Sequence, residues 1–334
     1  MTKIFLLGAT GYIGGTVLNT LVEKHPEFEY AVIVRSKEGG DKVIAQLPSV
    51  RVVIGNLNDD CNLIEKESAN ADIVINAADN DHVACANAII KGLSTRPSPG
   101  YLIHTSGTSI LLDGETNGYG QKLTSKVYDD LDHVEEVTNL PDEAWHRNVD
   151  KVVLNGFTKG VKTTIVCPCC IYGLGTSPGK RVSWQIPQLS KWTLKRGKGL
   201  MVNKGQTHWN NIHVLDLAEL YLLLVEEALK PNGGNATWGK DGYYFAENGE
   251  HIWADISQRI AQICKAKGFN KSDEVESLTP EKVKEFAPTG HLEWGANSRG
   301  KSLRAKKLGW KPKHPSLLDS LDQEVDMAAK ALGL

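Results

Sequence analysis

Apolar and polar positions alternate between two periods along the first half of the chain. Lys3–Leu7 is an apolar run of strand length that breaks into Gly8-Ala9-Thr10-Gly11-Tyr12-Ile13-Gly14-Gly15 and resumes as a helix pattern over roughly Tyr12–Lys24. Residues 30–34 read as a second strand, closing a β-α-β unit of ordinary length. A third strand at 50–54 runs into the turn Gly55-Asn56-Leu57-Asn58-Asp59 and a helix pattern from Leu63 onward. A fourth strand, 71–76, ends in Asn76-Ala77-Ala78, and 83–92 is helical. A fifth, Tyr101–Thr105, runs into Ser106-Gly107; the helix pattern of 144–154 and a sixth strand at 163–167 follow. Strand and helix alternate with no internal repeat, which predicts an α/β fold with a doubly wound parallel sheet and right-handed crossovers.

Past residue 173 the pattern changes. Residues 173–205 are rich in glycine, proline, tryptophan and lysine and leave the sheet, while 214–229 return as a helix. The expected division is a dinucleotide-binding domain over 1–175, rejoined by 209–230, and a smaller, mostly C-terminal substrate lobe from 176–208 and 234–334. Trp184, Trp192, Trp209, Trp238, Trp253 and Trp294 fall in or beside that lobe, where they would either line an apolar or aromatic substrate pocket or pack its core.

Composition removes several function classes. A formal charge of −2, from 38 basic and 40 acidic residues among 334, gives no global field to steer nucleic acid or a membrane surface, so a small-molecule partner is expected. The first apolar run is too short for a signal peptide, and no stretch approaches the roughly 18 apolar residues of a bilayer span. A cytoplasmic, soluble protein is expected, with a homodimer left open. Six scattered cysteines are too few for a disulfide framework, and Cys167-Pro168-Cys169-Cys170 has no second Cys/His pair at zinc spacing, so no metal is expected.

The chemistry begins at the glycines. Gly8 permits the sharp turn off the strand, Gly11 a close approach of backbone to pyrophosphate, and Gly14 close packing of helix on strand; the phosphates would sit at the helix N-terminus. The alternative is a glycine-rich turn without a ligand. After the second strand, where a carboxylate would hold the ribose hydroxyls of NAD, stand Arg35, Lys37 and Lys42. Cations there suit a 2′-phosphate, so NADP is expected in preference to NAD; a solvated basic loop is the alternative. Ala77 and Ala78 leave room for a ligand in the crevice at the carboxyl ends of the strands.

These residues resemble the extended short-chain dehydrogenase/reductases, within them the atypical NmrA-like and YeeZ-like members. Gly8 to Gly14 match that family's cofactor loop, through Thr10, Tyr12 and Ile13, and Gly55-Asn56-Leu57 looks like its Gly-Asp-Leu turn beside adenine, with Asn56 replacing aspartate. Thr105-Ser106-Gly107 is similar to the strand end carrying the family's catalytic serine, and Cys167-Pro168-Cys169-Cys170-Ile171-Tyr172-Gly173-Leu174-Gly175 to its Arg-Pro-x-x-Val-Tyr-Gly-Pro-Gly segment. Asn211-Ile212-His213-Val214-Leu215-Asp216 and the tail around Asn297-Ser298-Arg299 and Leu308-Gly309-Trp310 complete the match. The resemblance implies a Rossmann sheet, cofactor contacts that include Leu57, Thr105 and Pro168, and oxidoreductase activity on a small carbonyl or alcohol.

One element of the family is missing. No tyrosine is followed by lysine at the spacing Tyr-x-x-x-Lys: Leu123 follows Tyr119, and Asp132 follows Tyr128. The helix pattern instead offers His146 with Asp150 and Arg147 with Lys151 at i,i+4. An imidazole at His146, with an ordinary pKa of about 6.5, would shuttle a proton at neutral pH while Asp150 held a ribose hydroxyl; alternatively His146 only orients the cofactor. Ser106 would donate to a substrate oxygen, and Tyr119, from the loop 113–121, is a second candidate acid. The missing pair leaves two other readings open, a non-catalytic cofactor-binding sensor and a sugar-nucleotide epimerase or dehydratase.

Overall fold

The computed structural model describes residues 1–122 and 125–334. Seven strands form the central sheet: β1 (Lys3–Leu7), β2 (Glu29–Val34), β3 (Arg51–Ile54), β4 (Ile73–Asn76), β5 (Tyr101–Thr105), β6 (Lys162–Pro168) and β7 (Tyr243–Ala246). Their order is β7-β6-β5-β4-β1-β2-β3, parallel at every pairing. The order reverses between β1 and β4, which opens the ligand crevice beyond their carboxyl ends, where Leu7 pairs with Asn76.

A sheet covered on both faces must be apolar on both, and β1 divides its residues accordingly. Ile4 and Leu6 pack with α1 (Tyr12–Lys24) and α7 (Val214–Ala228), through Leu18, Leu217 and Leu220. Phe5 and Leu7 pack on the opposite side with α3 (Cys61–Ala69), α4 (Val83–Ser94) and α5 (Arg147–Asn155), through Ile64, Ile89 and Val153. Helix α2 (Lys37–Gln46) crosses between β2 and β3.

Three departures from the sequence pattern matter. β4 starts at Ile73, because the N–H of Ala71 closes the end of α3 on Ser68 O. β7 comes from within 234–334, a range expected to lie in the lobe; its Tyr-Tyr-Phe-Ala run is wholly buried and has no apolar/polar alternation to mark it. Finally, α5 begins at Arg147 rather than near residue 144, and His146 precedes it in the left-handed region at φ 64°, ψ −10°. His146 and Asp150 therefore do not share one turn of regular helix, although Asp150 N–H still bonds to His146 O.

The remaining chain builds a second core. His208–His213 pairs with Cys170–Tyr172 and Glu250–Ile252, and Gly199–Val202 with Val275–Leu278. Around them pack α6 (Gln185–Arg196), α8 (Trp253–Ala266) and α9 (Leu317–Ala331). Trp209, Trp253 and Trp294 are buried in this core, Trp192 packs at a tilt against Phe286, and Trp238 packs against Tyr101. Of the two fates expected of the six, packing takes up these five rings, and Trp184, the sixth, is half exposed. Among the described residues, no helix is long and apolar enough to cross a membrane and no His/Cys/Asp/Glu group is arranged to hold a metal.

Candidate active site

The turn from β1 to α1 builds the cradle. Gly8 has φ +95°, and a Cβ there would lie 2.3 Å from Ala77 O, so only glycine fits between the two strand ends. Gly11 N–H donates to Gly8 O at 2.8 Å, and the helical ladder starts with Gly15 N–H on Gly11 O. The N–H groups of Tyr12, Ile13 and Gly14 thus precede the ladder at the positive end of a 13-residue helix, suited to a diphosphate. A Cβ on Gly14 would come within 2.5 Å of Gly8 O, which holds helix and turn together. The side chains of Tyr12 and Ile13 do other work: Tyr12 Oη donates to Gly173 O at 2.6 Å, and Ile13 packs into the first core. Only their backbone faces the ligand role expected of them.

A cleft of about 480 Å³ runs from this turn across the sheet edge, lined by Gly8, Thr10, Gly11, Arg35, Leu57, Ala77 and Ala78 among others. Its volume and lining fit a dinucleotide. Asn56 shapes the far wall, its Oδ1 accepting from the N–H groups of Asn58 and Asp59 at 2.9 Å each. His82 caps α4 by accepting from Cys85 N–H through Nδ1, which leaves Nε2 to donate to Asn58 Oδ1 at 2.9 Å. Arg35 is exposed in the cleft. Lys37 is not part of it: its ammonium lies 2.7 Å from Asp41 along the outer face of α2, and Lys42 pairs with Glu38 in the same way. That corrects the expectation for Lys37, because i,i+4 carboxylates on the same helix take both lysines. A cation missed by the sequence reading, Lys180, lines the cleft instead.

Outside that lining, the end of β5 delivers Ser106, whose Oγ donates to Asp150 Oδ2 at 3.1 Å; Tyr243 Oη donates to the same oxygen at 3.4 Å. Asp150 is buried, and burial pushes its carboxyl up to about 7 against the opposing pull of Ser106, Arg147 and Tyr243. Its Oδ1 is buried without a partner. The ribose role expected of Asp150 is corrected: its contacts run to Ser106 and Tyr243, and it does not line the cleft. Burial also drives His104, on the same strand end, down to about 3, and its Nδ1 accepts from Asn76 Nδ2 at 3.1 Å.

His146 sits beside this cluster. Its Nδ1 lies 2.9 Å from Asp81 Oδ1, and since a carboxylate only accepts, the proton is on Nδ1. Asn80 Nδ2 lies 3.1 Å from Nδ1 and 3.3 Å from Nε2, and Nε2 lies 3.3 Å from where a Cβ on Gly107 would stand. A left-handed non-glycine backbone, a buried imidazole and a carboxylate behind it mark a site that is held rather than relaxed. Asp81 carries no motif, and its part could not be read from sequence.

Three expected site residues are directed elsewhere. Thr105 Oγ1 bonds to Tyr221 Oη at 2.6 Å on α7, and Pro168 ends β6 paired with Ala246. Tyr119 packs against the lobe, its ring edge-on to His291 at 5.2 Å, and burial raises its phenol. It shares no hydrogen bond with Ser106 or His146, because the loop that carries it is seated by Asn203 Nδ2 on Tyr119 O.

Comparison with known proteins agrees with this geometry. Residues 3–91 match the family model described as semialdehyde dehydrogenase, NAD binding domain. Solved structures share the fold over 99% of this chain. They include UDP-glucose 4-epimerase of Thermotoga maritima (16% identical, all of that chain, TM-score 0.67) and the dTDP-glucose 4,6-dehydratase DesIV of Streptomyces venezuelae (17%, 98% of that chain, TM-score 0.68). The oxidase ucsJ of an Acremonium species is 37% identical, covering 99% of each chain, and the uncharacterized protein YLL056C of Saccharomyces cerevisiae is 25% identical, covering 96% of this chain and 97% of that protein. With the cradle, the strand order and near-complete alignment to ucsJ together, this chain belongs to the family of that oxidase.

Proposed function

We propose that this chain is an NADP-dependent oxidoreductase of the atypical extended short-chain dehydrogenase type, interconverting a small alcohol and its carbonyl. The observation that carries the reading is a dinucleotide cleft lined as far as Asp79, two residues before the Asp81 carboxylate that holds the strained His146. The backbone of Gly8, Thr10 and Gly11 and the start of α1 would hold the diphosphate, Leu57, Ala77 and Ala78 the adenosine side, and Arg35 the 2′-phosphate. When bound, the nicotinamide supplies or accepts the hydride. The protein supplies the proton path. Ser106 Oγ donates to the substrate oxygen, and His146 Nε2 takes the hydroxyl proton in oxidation and returns it in reduction, while Asp81 holds the ring's tautomer and orientation. The ucsJ relative is an oxidase, which favours oxidation as the working direction. The missing Tyr-x-x-x-Lys pair is the one observation that favours a non-catalytic sensor.

The deciding experiment screens wild type for NADPH consumption with a carbonyl panel and for NADPH formation with the matching alcohols. With a substrate found, Ser106→Ala and His146→Ala should each lower kcat by about 10²–10⁴ with NADPH affinity little changed. Unaltered turnover in both variants removes the assigned proton path. Cofactor binding with no turnover anywhere in the panel favours the sensor.

A further inference from the structure

Under the proposed function a 2′-phosphate lies near Arg35, and the role of a second cation rests on that reading. A phosphate monoester carries about −1.5 to −2 charge at neutral pH, more than one cation neutralises. Lys37 and Lys42, the neighbours in sequence, are engaged by Asp41 and Glu38. Arg35 and Lys180 are the two permanently charged cations that line the cleft, and among the described residues neither has a carboxylate within ion-pair distance.

Lys180 reaches the cleft on a loop, residues 174–181, that is built onto the cradle. Gly175 N–H bonds to Arg181 O at 2.9 Å and Arg181 Nε to Gly175 O at 2.7 Å, closing the loop on itself. Thr176 N–H donates to Thr16 Oγ1 of α1 at 3.2 Å, and its carbonyl accepts from Gln46 of α2 at 2.7 Å. Lys180 N–H donates to Thr10 O at 2.9 Å, and a Cβ on Gly179 would stand only 2.3 Å from that same carbonyl. Thr10 in turn faces the first turn of α2, its methyl 3.6 Å from a Cβ placed on Gly39, and that turn is capped by Ser36, the residue after Arg35. Thr10 thus stands between the Lys180 backbone and the first turn of α2, which follows Arg35 in sequence. Its ammonium lies 5.5 Å from the Trp184 ring centroid, and Trp184 is itself fixed by Nε1 on Glu293 at 2.8 Å.

We propose that Lys180 is the second cation on the 2′-phosphate of NADP, so that a loop from beyond the sheet, and not helix α2, completes the choice of cofactor. Two like charges on one cleft wall repel until a dianion lies between them, whereas NAD offers nothing to that pair.

Titration of NADPH and NADH, and of the fragments 2′,5′-ADP and ADP, into wild type, Lys180→Ala, Lys180→Arg and Lys37→Ala tests this. All substitutions are at exposed positions, and an unchanged Tm without ligand establishes that each variant is folded. Lys180→Ala should weaken NADPH and 2′,5′-ADP about tenfold and leave NADH and ADP within about twofold, the size of one charge-assisted contact. Lys180→Arg should retain most of the preference and Lys37→Ala all of it. Equal weakening of NADPH and NADH by Lys180→Ala would move the lysine to the diphosphate and overturn the proposal. So would no change at all. Wild type that binds neither dinucleotide overturns the cofactor reading itself, and wild type that binds both equally overturns the 2′-phosphate assignment before any variant is measured.

Discussion

Burial, more than any neighbouring charge, sets the state of Asp150. Its carboxyl titrates near 7 in the fold, against about 3.9 in an open chain. A raised carboxyl stabilises the fold on the acid side. Below about pH 4 both states are protonated and the group's contribution to stability is fully present; as pH rises toward 7 the unfolded chain ionises first, and stability falls until the folded carboxyl ionises too. Asp150→Asn, which keeps the volume and an oxygen for Ser106, should lose less stability than wild type between pH 4 and 7. Urea midpoints across that range check it, and parallel profiles would mean that Asp150 is ionised in the fold. This residue also shows what sequence conveys at the smallest scale. Ser106 was singled out because it stands where the family's serine motif falls, and His146 because it lies on the helix pattern from which the Tyr-x-x-x-Lys pair is missing. Their partners were not: Asp81 and Tyr243 reach the site from 65 and 93 residues away, His146 to Asp81 and Tyr243 to Asp150, and no spacing rule connects them.

The β1–α1 turn shows the element scale, where sequence was most informative. A strand with four successive apolar residues, three glycines at fixed offsets and an amphipathic helix are all local, so the cradle follows from residues 3–24 alone. The glycines are not equivalent, though, and the difference is testable. Gly14→Val would drive a Cβ to 2.5 Å from Gly8 O and 3.2 Å from Ala77 Cβ, both fixed parts of the turn, and should cost about 1–3 kcal/mol of stability. Gly11 has an ordinary extended backbone, φ −79°, ψ 166°, and its Cβ would meet only Gly8 O, at 3.1 Å. Gly11→Val should therefore fold with a small loss and fail to bind the dinucleotide, since the new side chain competes with the diphosphate. Denaturant midpoints separate the two losses, and the rise of Tm with NADPH reads binding: present in wild type, absent in Gly11→Val. A Gly11→Val protein still stabilised by NADPH would mean that the phosphates lie elsewhere. β7 marks the limit of local reading, because Tyr243–Ala246 becomes a strand through pairing with β6 at Tyr243–Ile165, across nearly 80 residues, and through Asp130, whose Oδ2 accepts from Phe245 N–H at 2.8 Å.

For the molecule as a whole, the question is how the second core is fixed to the central sheet, and Gly173 is one point where the two meet. Tyr12, the first residue of α1, donates to Gly173 O, and Glu324 of α9 accepts from Gly173 N–H, both at 2.6 Å. Gly173 itself has φ +91°, and a Cβ would stand 2.3 Å from His213 Nε2, so nothing larger can occupy the corner. First and last helices thus hold opposite sides of one residue immediately after the strand Cys170–Tyr172. Neither bond was legible in the sequence, because Tyr12 read as a cofactor-loop residue and Glu324 as one acid among 40. Tyr12→Phe leaves the Gly173 carbonyl unpaired in a buried corner, and Glu324→Ala does the same to its N–H; each should cost about 1–3 kcal/mol. If the corner acts as one joint, loosening it from one side lets the other grip relax, and the double variant should lose less than the sum of the singles by at least about 0.5 kcal/mol. Urea unfolding of the four proteins, below pH 6 so that Glu324, which burial pushes up to about 7, stays in one protonation state, completes the cycle. Strict additivity would mean that α1 and α9 hold the chain independently.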